Sequence, residues 1–238
     1  MIKGYRDFSQ LVLRNTRRVD YEIESYVRSK DLTVVAIHGG DIEPLTSELA
    51  RAVAGKDYNL FEFRGIRASC NMKLHVSSLH FNDIRLRGLL DTTHTAISIH
   101  GSAGEVPIIG VGGGNQALAK CIVTQLAESG FETQKARGRL AGRHPDNLVN
   151  RPRDRGVQLE LSRGLRDAMV EGGAASPARG DPDKRTEVFT RFVEAVRLAV
   201  RRYLDRRRVN LERAIVDAAR TTALIPPELK RLSPETQR

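Results

Sequence analysis

The chain contains no tryptophan, and aromatic residues make up only 5% of its 238 positions. A platform that stacks the bases of single-stranded nucleic acid needs several exposed rings, so that function is poorly supplied. Cysteine is nearly absent too. Cys70 and Cys121 stand far apart without CxxC spacing, which excludes a disulfide framework and a thiolate zinc site. They read as a loop residue and a core residue, with a cysteine nucleophile as the lesser alternative. No apolar run approaches the length of a membrane span, so no membrane-spanning role is expected. The opening "MIKGYRDFSQ" leads into no apolar segment of the secretory kind. A cytoplasmic protein is expected, or one released by lysis if it is phage-borne.

Positive charge is what the chain has in excess. Thirty-nine Lys and Arg against 29 acids give a formal charge of +10, which favours an anionic partner. Nucleic acid, an acidic polymer and a membrane surface all qualify. Much of the arginine lies late, in "RLAVRRYLDRRRVNLER" and the tail, where a solvated helix accounts for it equally well. The hydrophobic and charged shares, 40% and 29%, are those of an ordinary globular protein, and the length suits one large domain.

Residues 1–31 are polar, with weak helical periodicity in "YEIESYVRSK". From there strands and helices alternate. "LTVVAI" reads as a buried strand and "EPLTSELARAVAG" as a helix, with Pro44 near its first turn and Gly55 at its end. "YNLFEFR", "KLHVSS", "HTAISIHG", "VPIIGVGG", "FETQKA" and "GVQLELS" read as further strands. "NQALAKCIVTQLAESG" and "RGLRDAMV" read as helices. "EGGAASPARGDPDK" is expected to be a mobile surface loop. A long helix from "RTEVFTRF" to about residue 208 follows, then a separate helix over roughly 209–220 and a tail expected to fray. Such alternation predicts an α/β sandwich with a largely parallel central sheet, whose ligands sit at the carboxyl ends of the strands.

Two such ends, "AIHGG" and "SIHGS", carry a histidine followed by glycine. A strand-end histidine is more often a hydrogen-bonded structural residue than a ligand. Here His38 stands five residues before Glu43 across a Gly-Gly turn, and His100 closes another strand, which makes a three-ligand zinc site an equal alternative. In "GVQLELS", Gln158, Glu160 and Ser162 share one face. A wet edge strand explains that pattern, but in a buried sheet Glu160 is costly without a task and suits a general base. "GVGGGN" has neither the phosphate-loop nor the dinucleotide spacing, so a turn into a helix suffices.

Taken together, "AIHGGDIEPLTSELARAVAG", "LHVSSLHFND", "SIHG", "VGGGNQALAKCIVTQL" and "NLVNRPRDRGVQLELSRGLR" resemble the poly-γ-glutamate hydrolase family. These are phage-type zinc enzymes also labelled phage-related replication proteins. The likeness covers roughly residues 18–205. It implies a three-layer α/β sandwich with a mixed central sheet, zinc-carboxypeptidase-like, over 1–205, followed by a helical extension and polar tail over 206–238. It implies Zn2+ held by His38, Glu43 and His100, with Glu160 as the catalytic glutamate. The substrate it implies is an anionic glutamyl polymer, cleaved at γ-glutamyl amide bonds, or a related acidic peptide such as those of the cell wall. Arg151, Arg166, His75 and His80 are candidate substrate contacts, with Arg64 and Arg143 as further arginines flanking the motifs. Asn150-Arg151 looks like the carboxylate-gripping pair of carboxypeptidases, though here it follows His100 instead of preceding it. The competing hypothesis is a non-catalytic, basic nucleic-acid-binding protein, which predicts salt-sensitive DNA or RNA binding indifferent to chelators.

Overall fold

The computed structural model describes residues 5–223, and seven strands run through them. These are β1 Tyr21–Tyr26, β2 Leu32–Gly40, β3 Asn59–Gly65, β4 Thr95–Gly101, β5 Ile109–Gly113, β6 Thr133–Lys135 and β7 Gly156–Leu161. They form one sheet in the order β1-β3-β2-β4-β7-β5-β6. The pairs β3-β2, β2-β4, β4-β7 and β5-β6 are parallel, whereas β1-β3 and β7-β5 are antiparallel. The sheet is therefore mixed, as the family resemblance implied and the alternation of elements alone did not.

All nine residues of β2 are buried, which requires cover on both faces of the sheet. On one face Val35, Ile37, Phe61 and Phe63 pack against Phe8 and Leu11 of α1 (Phe8–Arg14) and Leu86, Leu89 and Leu90 of α3 (Ile84–Thr92). The helix α2 (Thr46–Ala54) packs against β2 and β3, and α4 (Gln116–Glu128) against β5, β6 and β7. A short α5 (Arg163–Asp167) follows β7, and α6 runs from Glu187 to Ala223. The chain divides into two compact units, Met1–Val200 and Arg201–Arg238. No helix among the described residues is long and apolar enough to cross a membrane.

Four local expectations change. "YEIESY" is the strand β1, with Tyr21 and Ile23 buried at a spacing of two, because pairing with β3 overrides its weak helical periodicity. "KLHVSS" forms no strand: residues Asn71–Leu74 make a 3-10 turn, and the segment after it finds no neighbouring strand. The expected break near residue 209 is absent, since no Gly or Pro interrupts α6. The expected fraying tail after Ala223 lies outside the described residues. Finally, "EGGAASPARGDPDK" folds into two 3-10 turns, Pro177–Gly180 and Pro182–Lys184. From the first of these Arg179 pairs with Asp41 at 2.5 Å.

One buried cation ties the strand ends together. The Arg166 side chain on α5 donates to three backbone carbonyls: Nε to Leu161 at 3.2 Å, one terminal nitrogen to Pro44 at 2.8 Å and the other to Ser102 at 3.1 Å. It thus joins the segments that leave β2, β4 and β7. Glycine at 101 is what leaves room, because a Cβ there would collide with the guanidinium carbon. Arg166→Lys replaces a planar fork with a point donor and abandons buried carbonyls. It should cost about 1–3 kcal/mol, read as a lower urea midpoint at unchanged slope. A loss below about 0.5 kcal/mol, the scatter of ordinary surface changes, would show that the brace is unimportant.

Candidate metal centre

His38 lies near the end of β2, and simple strand alternation from Val35 and Ile37 would aim it at the opposite face. The register prevents this. Ala36 pairs with Glu62 and Gly39 with Arg64, so Ile37 and His38 together oppose Phe63. This is a β-bulge, which puts two consecutive side chains on one side. After it, Gly40 turns the chain at φ 64°, beside the Gly65 backbone, where a Cβ would fall on the Gly65 carbonyl oxygen. The turn is closed by the Glu43 N–H donating to the His38 carbonyl at 2.8 Å and by the Thr46 hydroxyl donating to the Glu43 carbonyl at 2.8 Å. Leu45, fully buried, takes the left-handed conformation at φ 77° just before α2, a strained position for a non-glycine residue.

Across from this turn, β4 presents His100, and the Gly101 N–H donates to Glu43 Oε2 at 2.8 Å. His38 Nδ1 stands 3.0 Å from Glu43 Oε1 and 3.1 Å from His100 Nδ1, and His100 Nδ1 stands 3.5 Å from Glu43 Oε2. Ligands bonded to zinc at 2.0–2.1 Å in a tetrahedron lie about 3.3 Å apart, so these separations match its edges. The outer nitrogens are committed elsewhere. His38 Nε2 faces the Val76 carbonyl at 2.8 Å, which only accepts, so the proton sits on Nε2 and Nδ1 presents its lone pair. His100 Nε2 lies 2.7 Å from Ser98 Oγ. Ser98 can donate or accept, so without a metal His100 Nδ1 can carry the proton it shares with Glu43, and with Nε2 protonated instead it too presents a lone pair. The donor set fits a divalent cation.

The electrostatics agree. Burial alone would raise Glu43, but His38 and His100 around it hold its carboxyl well below the usual range. Burial opposes charge on His100, yet its hydrogen bond to Glu43 keeps its pKa above the ordinary value. Both shifts describe a pocket that favours positive charge at its centre.

The structure brings further residues here. His75 stacks on the His38 ring, centroids 3.9 Å apart, with Nε2 3.7 Å from Glu43 Oε1. His38, Glu43 and His75 therefore form a second possible ligand group, with atoms within 4.8 Å of one another. The looser spacing and the stacked ring make it the poorer tetrahedral set. Burial, with His38 adding to it, pushes the His75 pKa down to about 4. Glu160 is directly opposite His100 in the β4-β7 register, so both side chains share one face. It borders an open cleft, burial raises its pKa, and its Oε1 accepts from Gln158 Nε2 at 2.8 Å.

Other candidates are engaged elsewhere. Arg151 pairs with Asp91 at 2.5 Å, Arg64 with Glu24 at 2.6 Å, and Arg166 serves as the backbone brace. His80 is exposed beside Asp7, its carbonyl accepting from the Phe8 N–H. Arg143 is exposed along a cleft that Gln158 also lines. Ser98, Gln158 and the Val76 carbonyl went unrecognised in the sequence as orienting groups. The spacing of two that joins Ser98 to His100 and Gln158 to Glu160 was the available signal.

A family model for poly-gamma-glutamate hydrolase matches residues 5–195. Bacillus subtilis YndL is 33% identical over 197 residues, covering 80% of this chain and 77% of YndL. The prophage-derived YoqZ of the same organism is 33% identical over 168 residues, 69% of this chain and 61% of its own. Among solved structures, a bacteriophage poly-gamma-glutamate hydrolase superposes with a TM-score of 0.80 at 31% identity, covering 84% of this chain and 98% of that one. A zinc-free apo form of YndL gives 0.76 at 30% identity, covering 84% and 96%. The chain belongs to the poly-gamma-glutamate hydrolase family.

Proposed function

We propose that this protein is a zinc-dependent amidohydrolase that cleaves γ-glutamyl amide bonds of poly-γ-glutamate or a related acidic peptide. The observation that carries the reading is the meeting of His38 Nδ1, His100 Nδ1 and the Glu43 carboxylate at 3.0 to 3.5 Å, with the outer nitrogens of both rings already hydrogen-bonded. Family membership supports the substrate class, and a relative whose apo form is described as zinc-free supports the metal.

In this reading His38, Glu43 and His100 hold zinc. The ion, when bound, supplies Lewis-acid polarisation and acidifies water at neutral pH. Glu160 takes the proton of the attacking water and hands it to the amine nitrogen as the C–N bond breaks. Gln158 holds one Glu160 oxygen, leaving the carboxylate aimed along the cleft. A burial-raised pKa suits a group that must both accept and release a proton. Ser98 and the Val76 carbonyl fix the imidazole orientations, the role that outer partners play at zinc sites.

Metal analysis of the purified chain should find about one zinc per molecule, and polymer cleavage should stop on chelation and return with zinc. Cleavage by rigorously metal-free protein would reject the mechanism. Loss of a direct ligand in His100→Ala should weaken zinc binding by more than about 100-fold, beyond the 10–100-fold typical of an outer partner. His75→Ala should stay within about tenfold. The opposite ranking, read by competitive titration, would put His75 in the ligand set instead. Glu160→Gln keeps shape but not basicity. It should lower kcat on poly-γ-glutamate by about 10²–10⁴-fold while zinc content holds, and a kcat near that of the parent would remove Glu160 from the chemistry.

A further inference from the structure

Residues 133–145, "TQKARGRLAGRHP", carry Lys135, Arg137, Arg139 and Arg143 and no acid. All four cations are exposed, and none has an ion pair among the described residues. Elsewhere in the first unit many arginines are tied to carboxylates, including Arg51, Arg64, Arg67, Arg151, Arg179 and Arg197. Four like charges within nine positions lie close enough to repel one another at physiological salt, which a visiting polyanion would relieve.

Their placement is specific. Lys135 and Arg137 line the cleft that ends on Glu160, together with Ser102 and Ala103 just past β4. Arg139 and Arg143 line the next cleft, together with Gln158 and with Ser77 and Ser78, which follow the His75-Val76 segment. Gln158 joins the two. One amide group donates both to Glu160 Oε1 at 2.8 Å and to the Leu140 carbonyl at 3.1 Å, so the side chain that aims the carboxylate also anchors the cationic segment.

We propose that residues 135–143 form a docking track for a polyanionic glutamyl chain, gripping the free α-carboxylates on residues that flank the bond presented to Glu160. The assignment rests on the amidohydrolase reading for the identity of the anion. A γ-linked chain carries one free carboxylate per residue, and guanidinium forks pair with such groups bidentately. Nucleic acid fits less well, because the segment has no Phe, Tyr or Trp to stack a base and the cleft beside Lys135 and Arg137 reaches Glu160.

The test compares two charge-matched variants of the full chain. The first carries Lys135→Gln, Arg137→Gln, Arg139→Gln and Arg143→Gln. The second removes four cations from α6 through Arg191→Gln, Arg201→Gln, Arg207→Gln and Arg208→Gln. Each lowers the formal charge from +10 by four, to +6. Binding of fluorescently labelled poly-γ-glutamate is measured by anisotropy in metal-stripped protein across a salt series. The track variant should bind about tenfold or more weakly, as the loss of four exposed ion pairs would give, with a flatter salt dependence. The α6 variant should stay within about twofold. Equal weakening in both would mean net charge and no track, and unchanged binding in the first would overturn the proposal outright. Duplex DNA bound more tightly than the polymer, and lost in the track variant, would overturn it in favour of nucleic acid. The two readings fail separately: polymer bound through these residues but never cleaved after zinc loading keeps the track and ends the amidohydrolase assignment.

Discussion

Acceptor atoms aimed at one point repel unless a proton or a cation lies between them, and the ends of β2 and β4 are arranged around that repulsion. His38 and His100 each commit the outer ring nitrogen to a fixed neighbour, which turns the inner nitrogens toward Glu43. A carboxylate buried between two imidazoles is tolerable only if positive charge is shared among them or supplied from outside. The surrounding features serve this arrangement. The Gly39-Gly40 turn brings Glu43 back beneath His38, the Gly101 N–H satisfies a second carboxylate oxygen, and Arg166 fixes the backbone on which all of these depend.

The sequence made some of this legible and not the rest, for reasons that differ by residue. His38, Glu43 and His100 were readable because histidine followed by glycine at the end of an apolar strand is a compact local signal. The closeness of His75 followed only from the order of the family motifs, because "KLHVSS" by itself alternates like a strand. In the structure it is a strap, whose Val76 carbonyl is occupied by His38. The short helices α1 and α3 passed unread although each begins at an aspartate cap, Asp7 and Asp83, since seven to nine residues give too little periodicity to notice. The antiparallel placement of β5 beside β7 followed from no local pattern; the family resemblance carried the mixed sheet where spacing could not.

Charge tells a similar story. Much of the arginine behind the +10 charge lies late in the sequence, yet in the first unit what distinguishes cations is whether they have partners. Arg51 and Arg64 are tied up with Glu24 and Glu62, Arg197 with Asp57. The segment after β6 has no carboxylate of its own to answer its four cations. A sum over the sequence is blind to that difference, because pairing is a property of the folded chain.

The bulge at Ile37-His38 has an evolutionary corollary. A strand that reaches its ligand by one extra residue is sensitive to length in a way that most of the chain is not. Losing one of these two residues would restore regular pleating with β3 but leave this side of the sheet one side chain short, either the imidazole itself or the Ile37 packed beside it. Descendants of this gene should therefore vary freely in the lengths of their surface connections while the count of residues from Leu32 to Gly40 stays fixed.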